Sequence, residues 1–294
     1  MSDLRHKIFK LRINSLTIDH STVTSATPEC VLYLISEIWT ILSISDGLVI
    51  RPLGKSQNPD VEDIFNGSGY NDYFSSHRAY SSSKKLRQSL LYNDRIYIKH
   101  EKGLKVDTEV ASNFVKEFAE ALGFSSKRTE RLKVSLGECI MNVVNHAYPK
   151  KIRNERKTPV AHFTKYWWVM GYTEKKTGKA YFVIMDRGVG MAQTISDKKW
   201  RQWFGDQLQF IGMLTKSQQI QKAFERPSSS TKSDGRGLGL PTLRRYAQDA
   251  LSGELYVMSR KSVLRFGKGI NHCEDFKEEF DGTMLVWEVD AGAA

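Results

Sequence analysis

The stretch VSLGECIMNVVNHAY (Val134–Tyr148) constrains this chain more than any other. No glycine or proline interrupts Glu138 to Tyr148, and Val134, Ile140, Met141, Val143 and Val144 supply an apolar stripe. One long helix is expected. Side chains four residues apart on a helix lie on one face, one turn above the other. Glu138 and Asn142 are such a pair, and His146 continues the row. A carboxylate and an amide placed this way suit a metal nucleotide. The amide oxygen can ligate Mg²⁺, which takes oxygen ligands and keeps waters, while the carboxylate orients or deprotonates an attacking group. The polar margin of an ordinary amphipathic helix has the same spacing, so the meaning of the pair depends on the motifs further along the chain.

At 294 residues the chain can bury one large core or two modest ones, and two are expected. A hydrophobic content of 40% with 11% aromatic residues describes a globular chain and excludes a disordered one. The longest apolar run, Val31 to Ile44, is too short to span a bilayer and carries Glu37. The opening MSDLRHK has no secretory pattern. Cys30, Cys139 and Cys273 are odd in number, widely spaced and without metal-ligand spacing. A reduced, cytoplasmic protein is expected. The net charge of +11 invites a nucleic-acid partner. However, the Lys and Arg residues are scattered, with acids between them and no arginine-rich tract. An acidic protein partner or a polyphosphate ligand accounts for the charge equally well.

Lys7 to Ile13 alternates in strand fashion, and Leu16 to Asp19 offers a second short strand. After STVTSATP, a helix is expected from about Glu29 to Leu42, started by Thr27 as cap, Pro28 at the first position and Glu29 in the first turn. Gly47 precedes a strand at Leu48–Pro52, and Val61–Phe65 begins a short helix that ends in NGSG, with Tyr73 and Phe74 following. This order resembles a STAS-like domain, the fold of anti-anti-sigma factors, most of all in VEDIFNGSGYNDYF (Val61–Phe74). The loop HSTVTSATP departs from that family's Asp-Ser-Ser/Thr-Gly phosphorylation pattern. Ser25 and Thr27 are the nearest candidates by position, and Thr27 is equally explained as a cap. Ser75 to Lys102 is polar apart from a connecting strand at Arg95–Ile98, so the boundary is placed near Lys102 and Gly103. Residues 1–102 then form the N-terminal domain with its linker, and residues 103–294 form the second domain.

From Val106 a helical stripe (Val110, Phe114, Val115, Phe118, Ala119, Leu122) runs to a stop at Gly123, and Ser125 or Ser126 caps the helix of Glu138. Tyr166–Tyr172 and Ala180–Met185 read as two strands joined by a turn, the second running into DRGVGM (Asp186–Met191). A carboxylate just past a strand end can accept a hydrogen bond from an exocyclic amine such as adenine N6, and the glycines let backbone approach a planar base. A polar stretch, Ala192–Asp234, holds helical pieces around Trp200–Leu214 and Gln218–Phe224. GRGLGL (Gly235–Leu240) then opens a helix, the arrangement whose free N–H groups suit phosphates. Strands at Gly253–Ser259 and Thr283–Val289 follow, the second begun by DGT.

The order ECIMN, DRGVGM, GRGLGL, DGT resembles the N box and three glycine boxes of the GHKL superfamily, which has the Bergerat ATP-binding fold. The likeness covers roughly Asp107 to Asp290. It is greatest to the anti-sigma-factor serine kinases, whose N box is matched by Glu138, Asn142, His146, Ala147 and Tyr148. The resemblance implies an α+β architecture: a two-layer sandwich with a mixed, mostly antiparallel sheet and helices on one face, beside the smaller N-terminal α/β domain. It implies ATP and Mg²⁺ as cofactors, with Asn142 as the metal ligand and Glu138 as the general base. Asp186 would read adenine, with Gly188, Gly190 and Met191 shaping the base pocket and Thr283 supporting Asp186. Gly235, Gly237 and Gly239 would wrap the phosphates, Leu238 and Leu240 would anchor the loop, and Lys232 and Arg236 would meet the γ-phosphate.

Residues 192–234 would form the ATP lid, longer and richer in aromatic side chains (Trp200, Trp203, Phe204, Phe210) than in the small kinases. His146 is expected to make a structural contact at the helix end. Three functions remain open: an anti-sigma-type serine/threonine kinase acting on a STAS-like protein or on its own N-terminal domain, an ATPase or ATP-gated interaction switch, and a basic nucleic-acid-associated regulator. A homodimer is compatible with each.

Overall fold

A strand that reads as an unbroken apolar run is expected where both faces of a sheet are covered, and WWVMGY, the first six residues of WWVMGYTE, is such a run. In the computed structural model, described for residues 13–44, 47–71, 74, 90–92, 95–103, 108–148, 166–174, 176–195, 213–225, 239–249 and 253–290, it forms a central strand buried on both sides. The strand expected at Lys7–Ile13 falls almost wholly outside these residues.

The sheet has eight strands: β3 (Leu90–Tyr92), β4 (Arg95–Gly103), β5 (Trp167–Glu174), β6 (Lys179–Asp186), β7 (Glu254–Ser259), β8 (Ser262–Gly267), β9 (Ile270–Asp275) and β10 (Thr283–Asp290). Their order is β3-β4-β5-β6-β10-β7-β8-β9, with every pairing antiparallel. The last strand thus enters the middle of the sheet. Its register aligns Thr283 with Asp186 on one side and Ser259 on the other, while Asp186 faces Trp167 across β5. β4 extends beyond the connecting strand expected at Arg95–Ile98 and pairs with β5 as far as Gly103, so the sheet begins upstream of that residue.

One face of the sheet carries α3 (Thr108–Leu122), α4 (Ser126–Asn142), α6 (Lys216–Glu225) and α7 (Gly239–Asp249), packed on Val169, Phe182, Ile184, Val257, Leu285 and Trp287. α3 stops where Gly123 takes φ 63°, and Phe124 N–H returns to Ala119 C=O at 2.9 Å. Ser125 then caps α4 by accepting from Arg128 N–H at 3.4 Å.

The buried stripe of α4 differs from the expected one. Leu132, Leu136, Cys139, Ile140, Val143 and Ala147 face the core, whereas Val134, Met141 and Val144 are 48%, 39% and 36% exposed. Helical phase explains this: the buried set follows i, i+4, i+7, i+8, i+11, and Val134 and Met141 fall on the far side. The helix also widens at its end into a π-turn, Val143–Ala147. Within the segment assigned to the lid, residues 216–225 are packed structure, with Ile220, Ala223 and Phe224 buried and Phe224 4.9 Å from the Phe266 ring. Residues 196–212, with Trp200, Trp203, Phe204 and Phe210, lie outside the described residues.

The other face of the sheet is covered by the N-terminal unit. β1 (Ser15–Asp19) and β2 (Val49–Leu53) pair in parallel around α1 (Pro28–Ile44), and α2 (Pro59–Gly67) follows. α1 starts where the sequence indicates, with Cys30 N–H bonded to Thr27 Oγ1 at 3.4 Å. Its Val31, Leu32, Ile35, Ile38 and Ile41 share a core with Trp168, Met170, Val183, Met185 and Met284 of the sheet. Alternate residues of β5 and β6 therefore serve two different cores. No helix among the described residues is long and apolar enough to cross a membrane.

Phe118 of α3 is 1% exposed and lies edge-on to Phe182 at 5.5 Å and to Phe124 at 6.0 Å. Phe118→Ala is expected to cost about 3–5 kcal/mol of stability. Chemical denaturation followed by circular dichroism measures this, and a loss under about 1 kcal/mol contradicts the packing described.

Candidate functional site

The end of β6 sets the floor of a cavity on the helix-bearing face. Asp186, the last residue of that strand, points to the helix side and is buried. Its Oδ1 accepts from Gly188 N–H at 2.7 Å, and the Thr283 hydroxyl and backbone also bond the carboxyl. Burial pushes the Asp186 carboxyl up to about 7, and these hydrogen bonds only partly offset it. Thr283 Oγ1 lies 3.2 Å from Ser259 Oγ, which accepts from Met191 N–H at 2.7 Å. A chain of polar contacts thus links Asp186 to the start of α5 (Met191–Ile195) through two neighbouring strands.

Gly188 sits where a Cβ would lie 2.2 Å from Ala147 O. That close approach lets Val189 N–H bond the same carbonyl at 2.9 Å, joining the turn after β6 to the π-turn that ends α4. The Tyr148 hydroxyl adds a second tie by accepting from Arg187 N–H and donating to Tyr166 O, both at 3.0 Å. Gly190, at φ 83°, turns the chain into α5.

Asn142, His146, Gly190 and Met191 line the cavity with Asp186 and Thr283. Glu138 stands one turn before Asn142 on α4. Gly239, the first residue of α7, closes against both: its Cβ would lie 2.9 Å from Glu138 Oε2 and 3.2 Å from Asn142 Nδ2. Any side chain here would press on the pair. The helix N-terminus, the positive end of its dipole, therefore meets the carboxylate and the amide at one rim of the cavity. Burial raises the Glu138 carboxyl above its usual range. Leu240 and Leu243 are buried in the cavity wall, which anchors α7.

Of the expected site residues, Glu138, Asn142, Asp186, Gly188, Gly190, Met191, Gly239, Leu240 and Thr283 come together around this cavity. Lys232, Gly235, Arg236, Gly237 and Leu238 lie outside the described residues. Sequence reasoning missed Ser259, which no motif marks, and the structural work of Tyr148, whose place in the N-box pattern was the available signal. Among the described residues, no group of three or more His, Cys, Asp or Glu side chains forms a metal cage. A cation here would rely on Asn142 together with oxygen ligands brought by phosphates and water.

An antiparallel sheet with helices on one face, a buried carboxyl beside close-approach glycines, and a Glu/Asn pair at a helix N-terminus define a nucleotide-binding sandwich. A family model described as the histidine kinase-like ATPase domain matches residues 104–252, half of the chain, and the chain belongs to that family. No curated protein matches the chain. The matched region holds Glu138, Asn142, Asp186 and Gly239, and it stops just before β7, so Ser259 and Thr283 complete the site from beyond it. The domain is an ATP-binding one of the GHKL type.

Gly188→Ala is expected to destabilise the protein by about 1–3 kcal/mol, because the added methyl meets a backbone carbonyl that itself holds a hydrogen bond. A thermal unfolding midpoint equal to wild type would show that the two turns are not in such close contact.

Proposed function

We propose that the chain is a Mg²⁺-dependent enzyme of this superfamily, acting in a regulatory switch, that hydrolyses ATP or transfers its γ-phosphate to a serine or threonine of a protein. The observation that carries this reading is the contact of Gly239 with Glu138 and Asn142, at the rim of the cavity that Asp186 floors. A half-buried carboxylate beside the phosphate-facing helix end would repel bound phosphates, a cost that its use as a proton acceptor accounts for.

Adenine N6 would donate to Asp186, while Gly188 and Gly190 keep side chains away from the ring. The phosphates would lie at the N-terminus of α7, where the dipole favours anions. Asn142 would hold Mg²⁺ through its amide oxygen; when bound, the ion neutralises phosphate charge. Glu138, raised in proton affinity by burial, would take the proton of the attacking water or hydroxyl. A STAS-like or other regulatory protein, or the chain's own N-terminal unit, is the partner this reading favours. Ser25 and Thr27 are both exposed in the loop before α1. The second reading, an ATP-gated switch without phosphotransfer, draws on the length of the segment 192–234.

With γ-labelled ATP and Mg²⁺, the wild-type protein is expected to release labelled phosphate or to label a serine or threonine. Glu138→Ala should bind ATP yet lose at least about a hundredfold in turnover, as removal of a general base does. Asn142→Ala should lose the Mg²⁺-dependent part of binding in a calorimetric titration. Normal phosphate release by Glu138→Ala would remove that residue as the base.

The raised Asp186 carboxyl also fixes a pH dependence. With a folded-state value of about 7 against the usual 3.8, the group is half-ionised near neutrality. Its ionised form is the stronger acceptor for an amine. Adenosine, which has no titrating phosphate, should therefore bind more tightly as pH rises from 6 to 8. The same raised value destabilises the free protein progressively above the unfolded-state value, up to about pH 7. Asp186→Asn should flatten both trends, and a binding profile with the same slope in that variant would assign the titration to another group.

A further inference from the structure

We propose that Arg187 is a positioning residue that couples nucleotide occupancy at Asp186 to the N-terminal unit through a buried ion pair with Glu37. The inference rests on Asp186 lying in an ATP site. Successive residues at a strand end point to opposite faces of a sheet. Asp186 therefore turns to the cavity, and Arg187 turns to the N-terminal unit. The Arg187 guanidinium is buried and paired with the carboxylate of Glu37, whose side chain is 0% exposed in the middle of α1. Its Nη1 also donates to Ser36 Oγ at 3.3 Å, and the cation stands 4.9 Å over the Tyr33 ring. All three partners belong to one apolar helix.

The fourth contact closes the circuit. Arg187 Nη2 lies 3.6 Å from Asp281 Oδ2, and Asp281 Oδ1 accepts from Arg260 Nη1 at 3.0 Å. Asp281 leads through Gly282 into Thr283, the residue that bonds the Asp186 carboxyl. Arg187 therefore grips both chain segments that shape the floor of the cavity, the turn after β6 and the turn before β10, and fastens them to α1. A shift of either turn on ligand binding would strain a buried charge pair in which neither member can go uncompensated. Because coupling is reciprocal, anything that moves α1 would change nucleotide affinity by the same factor that nucleotide changes the docking of α1. No new pocket is required, only a second arrangement of this pair.

The test uses the full chain, with ATP and Mg²⁺, as wild type, as Glu37→Gln, and as the double variant Glu37→Met with Arg187→Met. The double variant removes both charges while keeping similar volume, so it guards against a single variant that fails to fold. Calorimetry gives ATP affinity, and amide exchange reports opening of α1 with and without ATP. α1 lies on the face of the sheet opposite the cavity, so ATP cannot shield it directly.

In wild type, ATP is expected to slow exchange across Val31–Ile41 about fivefold or more. In both variants that response should vanish and ATP should bind about fivefold or more weakly. A folded variant with wild-type affinity and an unchanged α1 response overturns the coupling and leaves the pair a structural lock. Weaker binding with the α1 response intact overturns it too, as does a wild-type α1 that ignores bound ATP, even if neither variant folds. Failure of the wild-type chain to bind ATP refutes the nucleotide reading itself.

Discussion

A carboxyl group buried at the junction of strands is the feature on which the rest of this structure depends. Asp186 is placed by strand register: it ends β6, faces Thr283 of β10, and accepts from Gly188 N–H of its own turn and from Thr283. A buried carboxyl is tolerated only where hydrogen bonds replace its lost hydration. Here they come from two segments, the turn after β6 and the start of β10, and Thr283 is in turn joined through Ser259 to the start of α5. Residual discomfort remains, since burial still outweighs those bonds and leaves the group ready to gain from a donor.

The sheet that holds this group is covered on both faces, and the two covers have different jobs. The helix-bearing face supplies the Glu138–Asn142 pair and the N-terminus of α7, brought into contact by the absence of a side chain at Gly239. The opposite face is filled by α1 and its neighbours, whose aliphatic side chains interlock with Trp168, Met170, Val183 and Met185. β7, by contrast, alternates buried and partly exposed residues, and none of its residues joins the core that the described N-terminal unit shares with the sheet. The buried ion pair of Arg187, adjacent in sequence to Asp186, with Glu37 ties the strand end to α1, and the Tyr172 hydroxyl of β5 bonds Glu29 of the same helix.

Much of this was legible in advance. The start of α1 at Thr27-Pro28-Glu29, the stop of α3 at Gly123 and the cap of α4 at Ser125 follow from local chemistry, which sequence records directly. The motif segments are equally local: ECIMN falls on a helix, DRGVGM follows a strand, DGT opens one, and the described end of GRGLGL, Gly239 and Leu240, starts α7. β8 and β9 were not legible. Their sequences, SVLRFG and INHCED, mix polar and apolar residues because β9 is an edge with little to bury, and neither gives a clean period. The exposed side of α4 was misread for a related reason. Val134 and Met141 are apolar but out of phase with the buried row, and only packing reveals which row wins.

The sequence by itself determined most of the elements that carry the site, the presence of a carboxylate–amide pair one turn apart, and the glycines that could admit backbone or ligand. These are matters of short-range sterics and hydrogen bonding, encoded within a few residues. Tertiary structure decided what those elements do to one another. It put the last strand in the middle of the sheet, which brings Thr283 to Asp186 across nearly a hundred residues of chain. It also seated the N-terminal unit on the second face, giving Arg187 the buried partner that no spacing in the sequence could assign. Long-range pairing of this kind depends on which surfaces remain to be covered once the local elements exist, and that is a property of the whole fold.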